Sequence, residues 1–360
     1  MKRFLWLILI LLLIVACRGE SIDEDEPNGE EITIEQATTP PRVLETKPER
    51  PPSPPEGMAT SPLTGLYICE QAAARRPFAV VYSNEPRSMP QLGLSQAALV
   101  FEVLAEGTIT RIVAVFQDFD AEMIGPVRSS RHYMSELAAG IGAVFVHHGG
   151  SLQGYASIRE LGLYQIDGMR YDGTIIQRDA VRRRERGFEH SGFTAASRLI
   201  GHSENRNFDM AASPNLGFFG FFDEPTAPAP GNVADVVNIP FHGSNISVFR
   251  FSEDDGLYYK YIFGNPQMDG NIDEQLAVSN VLVQVTNIYH IAGDAEGRRN
   301  VRLLGEGHGY LATFGTYTRV YWEKSDAHSP TLWFCENGEP LQLNRGATWI
   351  SIISGEPTFE

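Results

Sequence analysis

Residues 4–15, FLWLILILLLIV, form an unbroken apolar run preceded by Lys2 and Arg3. A membrane-spanning helix needs about 20 apolar residues. This run is shorter and has the shape of a secretion signal, a basic start followed by a brief apolar core. It supplies a destination and no fold. Residues 18–57 supply no core either. They read RGESIDEDEPNGEEITIEQATTPPRVLETKPERPPSPPEG, acidic first and proline-rich after, without any apolar period. Such a composition cannot bury enough surface to offset its ordering entropy. As a coil, this tether of about 40 residues would reach roughly 35 Å, and about 120 Å if drawn toward polyproline II. The fold must therefore come from residues 58–360, enough chain for two domains with cores of their own.

The apolar run ends in Ile14-Val15-Ala16-Cys17, which resembles a bacterial lipobox. That resemblance makes Cys17 the lipidated first residue of the mature chain. It places the protein on the outer face of the cytoplasmic membrane, held by its N-terminal lipid. The formal net charge is −16, and with the signal's two bases and the tether's eleven acids and four bases set aside the body keeps about −11. An acidic body is a poor generic partner for nucleic acid or anionic head groups, so any anion site must be local. Cys69 and Cys335 are the other two cysteines. An extracytoplasmic compartment permits a disulfide between them, and two independent thiols are the other reading.

The expected fold is α+β, with the signal over 1–17, the tether over 18–57, a mixed α/β domain over 58–215, a linker over 216–235 and a β-rich domain over 236–360. In the first domain RRPFAVVYS predicts a strand over 78–82. ALVFEVLAEGTITRIVAVFQ predicts a hairpin turning at Glu106-Gly107-Thr108. A helix is expected over about 131–139, capped by Ser129 or Ser130 and stopped at Gly140. AVFVHH predicts a strand and SIRELGLYQ a short helix. The proline-rich end of LGFFGFFDEPTAPAPG reads as a linker. After it, short strands with regular turn signals predict a mostly antiparallel sandwich or partly closed barrel. NVLVQVTNIYHI reads as one long strand, and Asn337-Gly338 as a type I′ hairpin.

Several segments together resemble the YerB-type bacterial lipoproteins, which are built on a two-part domain of unknown function. They are PLTG (62–65), RRPFAVVYSN (75–84), GLSQAALVFEVLAEGTITR (93–111), GPVRSSRHY (125–133) and HHGGS (147–151), followed distally by WEKS (322–325) and LNRGATWISI (343–352). The resemblance covers most of residues 62–354. It implies an extracytoplasmic, membrane-tethered protein and imports no reaction. The family's Trp-Arg-Asp and Pro-His-Asn segments are altered here. QRDAVRRRERGFEHSG keeps Arg178-Asp179 and His190 but has Gln177, Glu189 and Ser191 around them.

The chemistry concentrates at GPVRSSR, 125–131. Arg128, Ser129, Ser130 and Arg131 at a helix start could cradle a phosphate or carboxylate. Alternatively the serines cap the helix and the arginines pair with Glu102, Glu106 or Asp118. His147 and His148 end a strand, and strand neighbours point to opposite faces, so at most one faces a given site and no metal pair is expected. Gly149-Gly150-Ser151 either admits a ligand to the backbone or makes a tight exit from the strand. Ser151 is otherwise a candidate only because its cluster is polar. Glu102 and Glu106, four residues apart on one strand, would stand roughly 13 Å apart. Glycosidase carboxyls need about 5–9.5 Å, so that pair alone fails. The run Arg182-Arg183-Arg184-Glu185-Arg186 reads as a solvated cluster or as a steering patch for an anionic polymer.

The leading expectation is a tethered binder of an anionic envelope ligand, a cell-wall glycan or teichoic-acid-like polymer, held by Arg128 and Arg131. His147 or His148 would orient the ligand, with Arg111 and Glu106 nearby. The rival is a metal-independent hydrolase or transferase acting on glycan or phosphodiester bonds. There His148 or His190 would be the base, Glu106 or Asp179 would orient it, and the arginines would stabilise developing charge. A third reading is a protein-binding scaffold that uses the β domain. No cofactor is implied by any of the three.

Overall fold

The computed structural model describes residues 54–243 and 245–360. Cys17, the signal and most of the tether lie outside the described residues. The elements that position the site are β1 (Phe78–Asn84), β2 (Leu99–Glu106), β3 (Ile109–Phe116), α1 (His132–Gly140), β4 (Val144–His147), α2 (Leu152–Glu160), β5 (Gln165–Asp167), α3 (Gly168–Tyr171), α4 (Ala180–Arg186) and α5 (Ala196–Asn205). The later half adds β6 (Val236–His242), β7 (Asn245–Ser252), β8 (Leu257–Ile262), β9 (Asn280–Val285), β10 (Gly305–Thr313), β11 (Thr316–Lys324), β12 (Leu332–Cys335) and β13 (Thr348–Ile353).

One sheet crosses both sequence halves. Its order is β11-β10-β9-β13-β2-β3-β1-β4-β5, with the short strand Asn232–Val233 beside β11 and β12 also pairing β11. The join is β13, which lies parallel to both β9 and β2. Buried on both faces, β13 reads TWISII, mostly apolar and without period-two alternation, as suits a central parallel strand. β6, β7 and β8 form a second, antiparallel sheet. Their alternate residues Val237, Ile239, Phe249 and Tyr258 pack on the central sheet beside Val100, Leu104 and Trp349. The opposite face carries α1 through Tyr133, Met134 and Leu137, packed with Ala79, Val81, Phe101 and Val103. The α+β class is as expected, and the sheets do not close into a barrel. Both core clusters draw on both sequence halves, so the two halves share their cores.

Several local expectations need correction. The 216–231 segment is not a free spacer. Leu216 and Phe219 are buried, and Gly220–Phe221 pairs in parallel with Gln342–Leu343. NVLVQVTNIYHI breaks after Val285, and Ile288–His290 pairs instead with Arg299–Val301. At Asn337-Gly338 only the glycine has positive φ (83°), so the turn is not type I′. Gly338 N–H closes a four-residue turn on Cys335 C=O, 2.9 Å away. Cys69 and Cys335 are separate free thiols.

Candidate functional site

The segment GPVRSSR fills a split in the central sheet. β1 and β4 run in parallel from Phe78↔Val144 to Val80↔Val146 and then part. Arg128 N–H donates to Val81 C=O (2.8 Å), and Arg128 C=O accepts from His148 N–H (2.9 Å). Ser130 N–H donates to Gly149 C=O (2.9 Å), and Ser130 C=O accepts from Ser151 N–H (3.3 Å). The segment thus acts as a short strand wedged between the carboxyl ends of β1 and β4. This corrects the capping expectation. Ser129 and Ser130 cap nothing, and α1 starts at His132 with an extended Arg131 as N-cap and no side-chain cap bond.

The wedge sorts its residues by burial. Ser130 is fully buried, and its Oγ has no partner. A Cβ on Gly150 would stand 2.5 Å from that Oγ, so a larger residue would force the Ser130 side chain to move. Gly149 has φ +74°, a second reason for the glycine pair. The glycine pair makes a tight exit from β4, and both glycines also line an open cleft. Arg131 turns inward and pairs with Glu106, which also accepts from Arg111 Nη2 at 2.9 Å. Arg111 Nη1 donates to Ser129 C=O at 2.7 Å. Burial pulls both guanidiniums down to about 10. A bulge in β2 between Leu104 and Glu106 lets Glu106 meet these arginines, whereas Glu102 faces the second sheet. Ser130, Arg131, Arg111 and Glu106 are thus interior structure and do not form an open cradle.

Glu102 is no catalytic acid either. It is fully buried and accepts from Asn84 Nδ2 (2.9 Å), Thr110 Oγ1 (3.0 Å), Ser247 Oγ (3.0 Å) and Trp349 Nε1 (3.1 Å), with Lys260 Nζ at 3.5 Å. Lys260 sits over the Phe249 and Trp349 rings, and burial lowers its pKa against the pull of Glu102. This pair pins the two sheets together. Ser151 Oγ accepts from Gly154 N–H (3.0 Å) and caps α2. Asp179 caps α4 by accepting from Arg182 N–H (2.6 Å). His147 is fully buried, with Nδ1 at 2.8 Å from Gly149 C=O and Nε2 at 3.0 Å from Gln165 Oε1. His190 is buried, with Nδ1 3.2 Å from Ser88 Oγ and 3.8 Å from Glu85 Oε1. Serine and carboxylate meet the same nitrogen, so this is not a relay, and Ser88 is itself fully buried.

What remains open is a cleft of about 370 Å³ at the carboxyl ends of β4 and β5, lined by Arg128, Ser129, His148, Gly149, Gly150, Tyr155, Met169, Arg178, Phe188 and Glu189. In open α/β sheets this is the edge at which ligands bind. The register His147↔Asp167 sets the two strand ends side by side. Asp167 accepts from Gly149 N–H (2.9 Å), Met169 N–H (2.9 Å) and Tyr155 Oη (2.8 Å). Burial alone would raise its pKa, but these bonds and nearby His147 hold it below the usual carboxylate range. Arg128 Nη2 donates to Glu85 Oε1 (3.2 Å), while its Nε is buried without a partner. Arg178 clasps Asp172 (2.9 and 3.3 Å), stacks 3.9 Å from the Phe188 ring centre and donates to His148 Nε2 at 2.5 Å. Burial first, then Arg178, pushes the His148 pKa down.

A second cleft of about 370 Å³ shares the Tyr155 wall and is lined by Leu163, Tyr164, Gln165, Asp167, Arg170, Tyr171, Arg206 and Phe208. None of these residues was a site candidate from the sequence. The arginine run of α4 is partly structural. Arg182 donates to Ser88 and Pro90 C=O (3.3 and 2.8 Å), and Arg186 donates to Met89 C=O. Of the residues expected at the site, Arg128, Ser129 and His148 share the open cleft, while Arg131, Ser130, Glu102, Glu106, Arg111, His147, Ser151, Asp179 and His190 do not line it.

The chain matches two family descriptions, "Protein of unknown function (DUF3048) N-terminal domain" over residues 63–209 and its C-terminal counterpart over residues 237–350. It is 29% identical over 296 residues to "Putative lipoprotein YerB" of Bacillus subtilis (strain 168), covering 81% of this chain and 86% of that protein. The crystal structure of the YerB protein from Bacillus subtilis superposes with a TM-score of 0.73 at 26% identity, covering 84% of this chain and 99% of that one. The protein described here belongs to the YerB-type family, whose two domains lie in this order along the chain.

Proposed function

We propose that this chain is a lipid-anchored protein of the outer face of the cytoplasmic membrane that captures an anionic envelope ligand in the cleft at the ends of β4 and β5. The observation that carries the reading is the cleft itself, where Arg128, Ser129 and Arg178 surround an open space beside a turn fixed by Asp167. Arg128 lines the cleft and spends one bond, from Nη2, on Glu85, so its guanidinium still offers a charged donor to a ligand oxygen. Phe188, Met169 and Tyr155 offer apolar faces to a sugar ring or carbon backbone. The tether and the relative's printed name support the anchored location.

Binding fits this geometry better than hydrolysis. A general base needs a free lone pair within reach of substrate. His148 Nε2 already accepts from Arg178, and His190 lies buried against Ser88 and Glu85.

The test uses the full-length protein in detergent, mixed with solubilised cell-wall glycan and anionic wall-polymer fractions. Retention is measured beside Arg128→Ala. The reading predicts retention of an anionic fraction by the wild type and its loss in Arg128→Ala at an unchanged melting temperature. Equal retention by both proteins would refute it, and release of shortened products would point to the enzyme instead.

A further inference from the structure

The second cleft holds two cations that form no ion pair among the described residues. Arg170 and Arg206 are both exposed, and neither has an ion-pair partner among the described residues. Among the described residues, the only ring contact of Arg170 is with Tyr171, 5.5 Å away. The contrast with the first cleft is sharp, because there Arg128 faces Glu85 and Arg178 is clasped by Asp172. The one carboxylate lining the second cleft, Asp167, already accepts three hydrogen bonds. Both arginines act on His202, whose pKa is pushed down by burial first and then by Arg206 and Arg170. The His202 Nε2 is buried without a partner. Aromatic faces surround them. Tyr164 stacks on Phe208 at 4.7 Å, and Tyr171 meets His202 edge-on at 4.4 Å.

The two clefts are neighbours by construction. Tyr155 lines both, and its hydroxyl is fixed to Asp167, the residue that ends β5 and starts α3. α3 forms the ridge between them, with Met169 on the first side and Arg170 and Tyr171 on the second. Its four residues rise only about 6 Å. Each lobe has the size of a pocket for one sugar-sized unit.

We propose that the two lobes are successive subsites for an extended polymer that repeats an anionic group, such as a phosphate, along a hydroxylated backbone. The polymer lies across Tyr155, with one anion at Arg128 and the next at Arg170 and Arg206. Its carbon skeleton packs on Tyr164, Phe208 and Phe188. This rests on the first lobe being the ligand site proposed above. It adds the length and charge repeat of the ligand, which neither lobe alone defines. A second subsite turns a weak contact into a tethered one, so oligomers gain by effective concentration.

The experiment compares three probes on full-length protein in detergent by titration calorimetry: glycerol 3-phosphate, an oligo(glycerol phosphate) of about six units and an uncharged glycan oligomer of similar length. The oligophosphate is expected to bind at least about tenfold tighter than the monomer. Arg170→Ala/Arg206→Ala should erase that gain and leave the monomer's affinity unchanged. Because both side chains are exposed and unpaired, folding should be unaffected, which a matching melting temperature checks. An oligomer gain that survives in the double variant overturns the proposal, as does equal binding of the uncharged glycan. Monomer binding that depends on Arg128, with no gain for the oligomer, sinks the second subsite and leaves the first cleft standing. Failure of both phosphate probes to bind removes both readings.

Discussion

Arg131 and Arg206 show two uses of one side chain in the same half of the protein. The first is buried, shares Glu106 with Arg111 and has its pKa pulled down to about 10 by burial. The second lies exposed on a cleft wall without an ion-pair partner among the described residues. The interior cluster under the β2–β3 tip is committed to structure. The second cleft, at Arg170 and Arg206, keeps its charge available. Residue type alone does not separate the two regions; burial and partner do. A buried charge holds its place only when paired, whereas an exposed unpaired cation adds little to stability.

The largest expected effect comes from breaking the interior cluster. Glu106→Ala would leave Arg111 and Arg131 buried together with no carboxylate between them, costing about 3–5 kcal/mol in urea unfolding. A loss under about 1 kcal/mol would mean that water already reaches those arginines and that the two regions differ less than described. Gly150→Ala comes next. Its new methyl would collide with Ser130 Oγ, at a cost of roughly 1–3 kcal/mol. Adding Ser130→Ala should recover part of that loss, a coupling that two distant sites would not show.

Protonation sharpens the comparison from the groove side. His148, His190 and His202 all have pKa values pushed down, burial being the first cause in each. The unfolded chain therefore binds more protons than the folded one below about pH 6.5, the ordinary histidine value. Stability rises with pH wherever that is so. The urea midpoint should accordingly fall as pH drops from about 6.5 toward 5, and His148→Gln should flatten the fall. A midpoint insensitive to pH in that window would show that these imidazoles titrate normally. The smallest effect belongs to Ser130→Ala alone. Removing a buried hydroxyl that has no partner should be neutral or stabilising by up to about 1 kcal/mol. A clear loss would reveal a hydrogen bond that the present geometry does not contain.

Much of the first half was legible from local pattern. The β2–β3 hairpin turns at Gly107, β1 runs 78–84 where PFAVVYSN is continuous, and α1 covers 132–140. The strand end His147-His148 does split its two rings between interior and cleft. The register of β13 was not legible, because its partners lie some 70 residues away in β9 and some 250 residues away in β2, and such pairing leaves no local trace. In GPVRSSR the alternative pairing of Arg131 with Glu106 is found, while the serine cap fails for a related reason. A serine before a helix looks like a cap until the split between β1 and β4 claims its backbone. α2 begins at Leu152, earlier than SIRELGLYQ suggested, because Ser151 caps it and Leu163 onward turns into β5. The second cleft was invisible for want of any motif. Its residues come from α2, β5, α3 and the segments just before β5 and just after α5, and they meet only in three dimensions.

Hydrogen–deuterium exchange on the full-length protein, with and without an anionic wall oligomer, tests the central claim most directly. The account predicts new protection confined to residues 128–129, 148–155, 163–171, 178–189 and 206–208, with 106–111 and 131–140 unchanged because they are already closed. Protection centred on β10–β12, or none in the presence of a ligand that the protein retains, would contradict it.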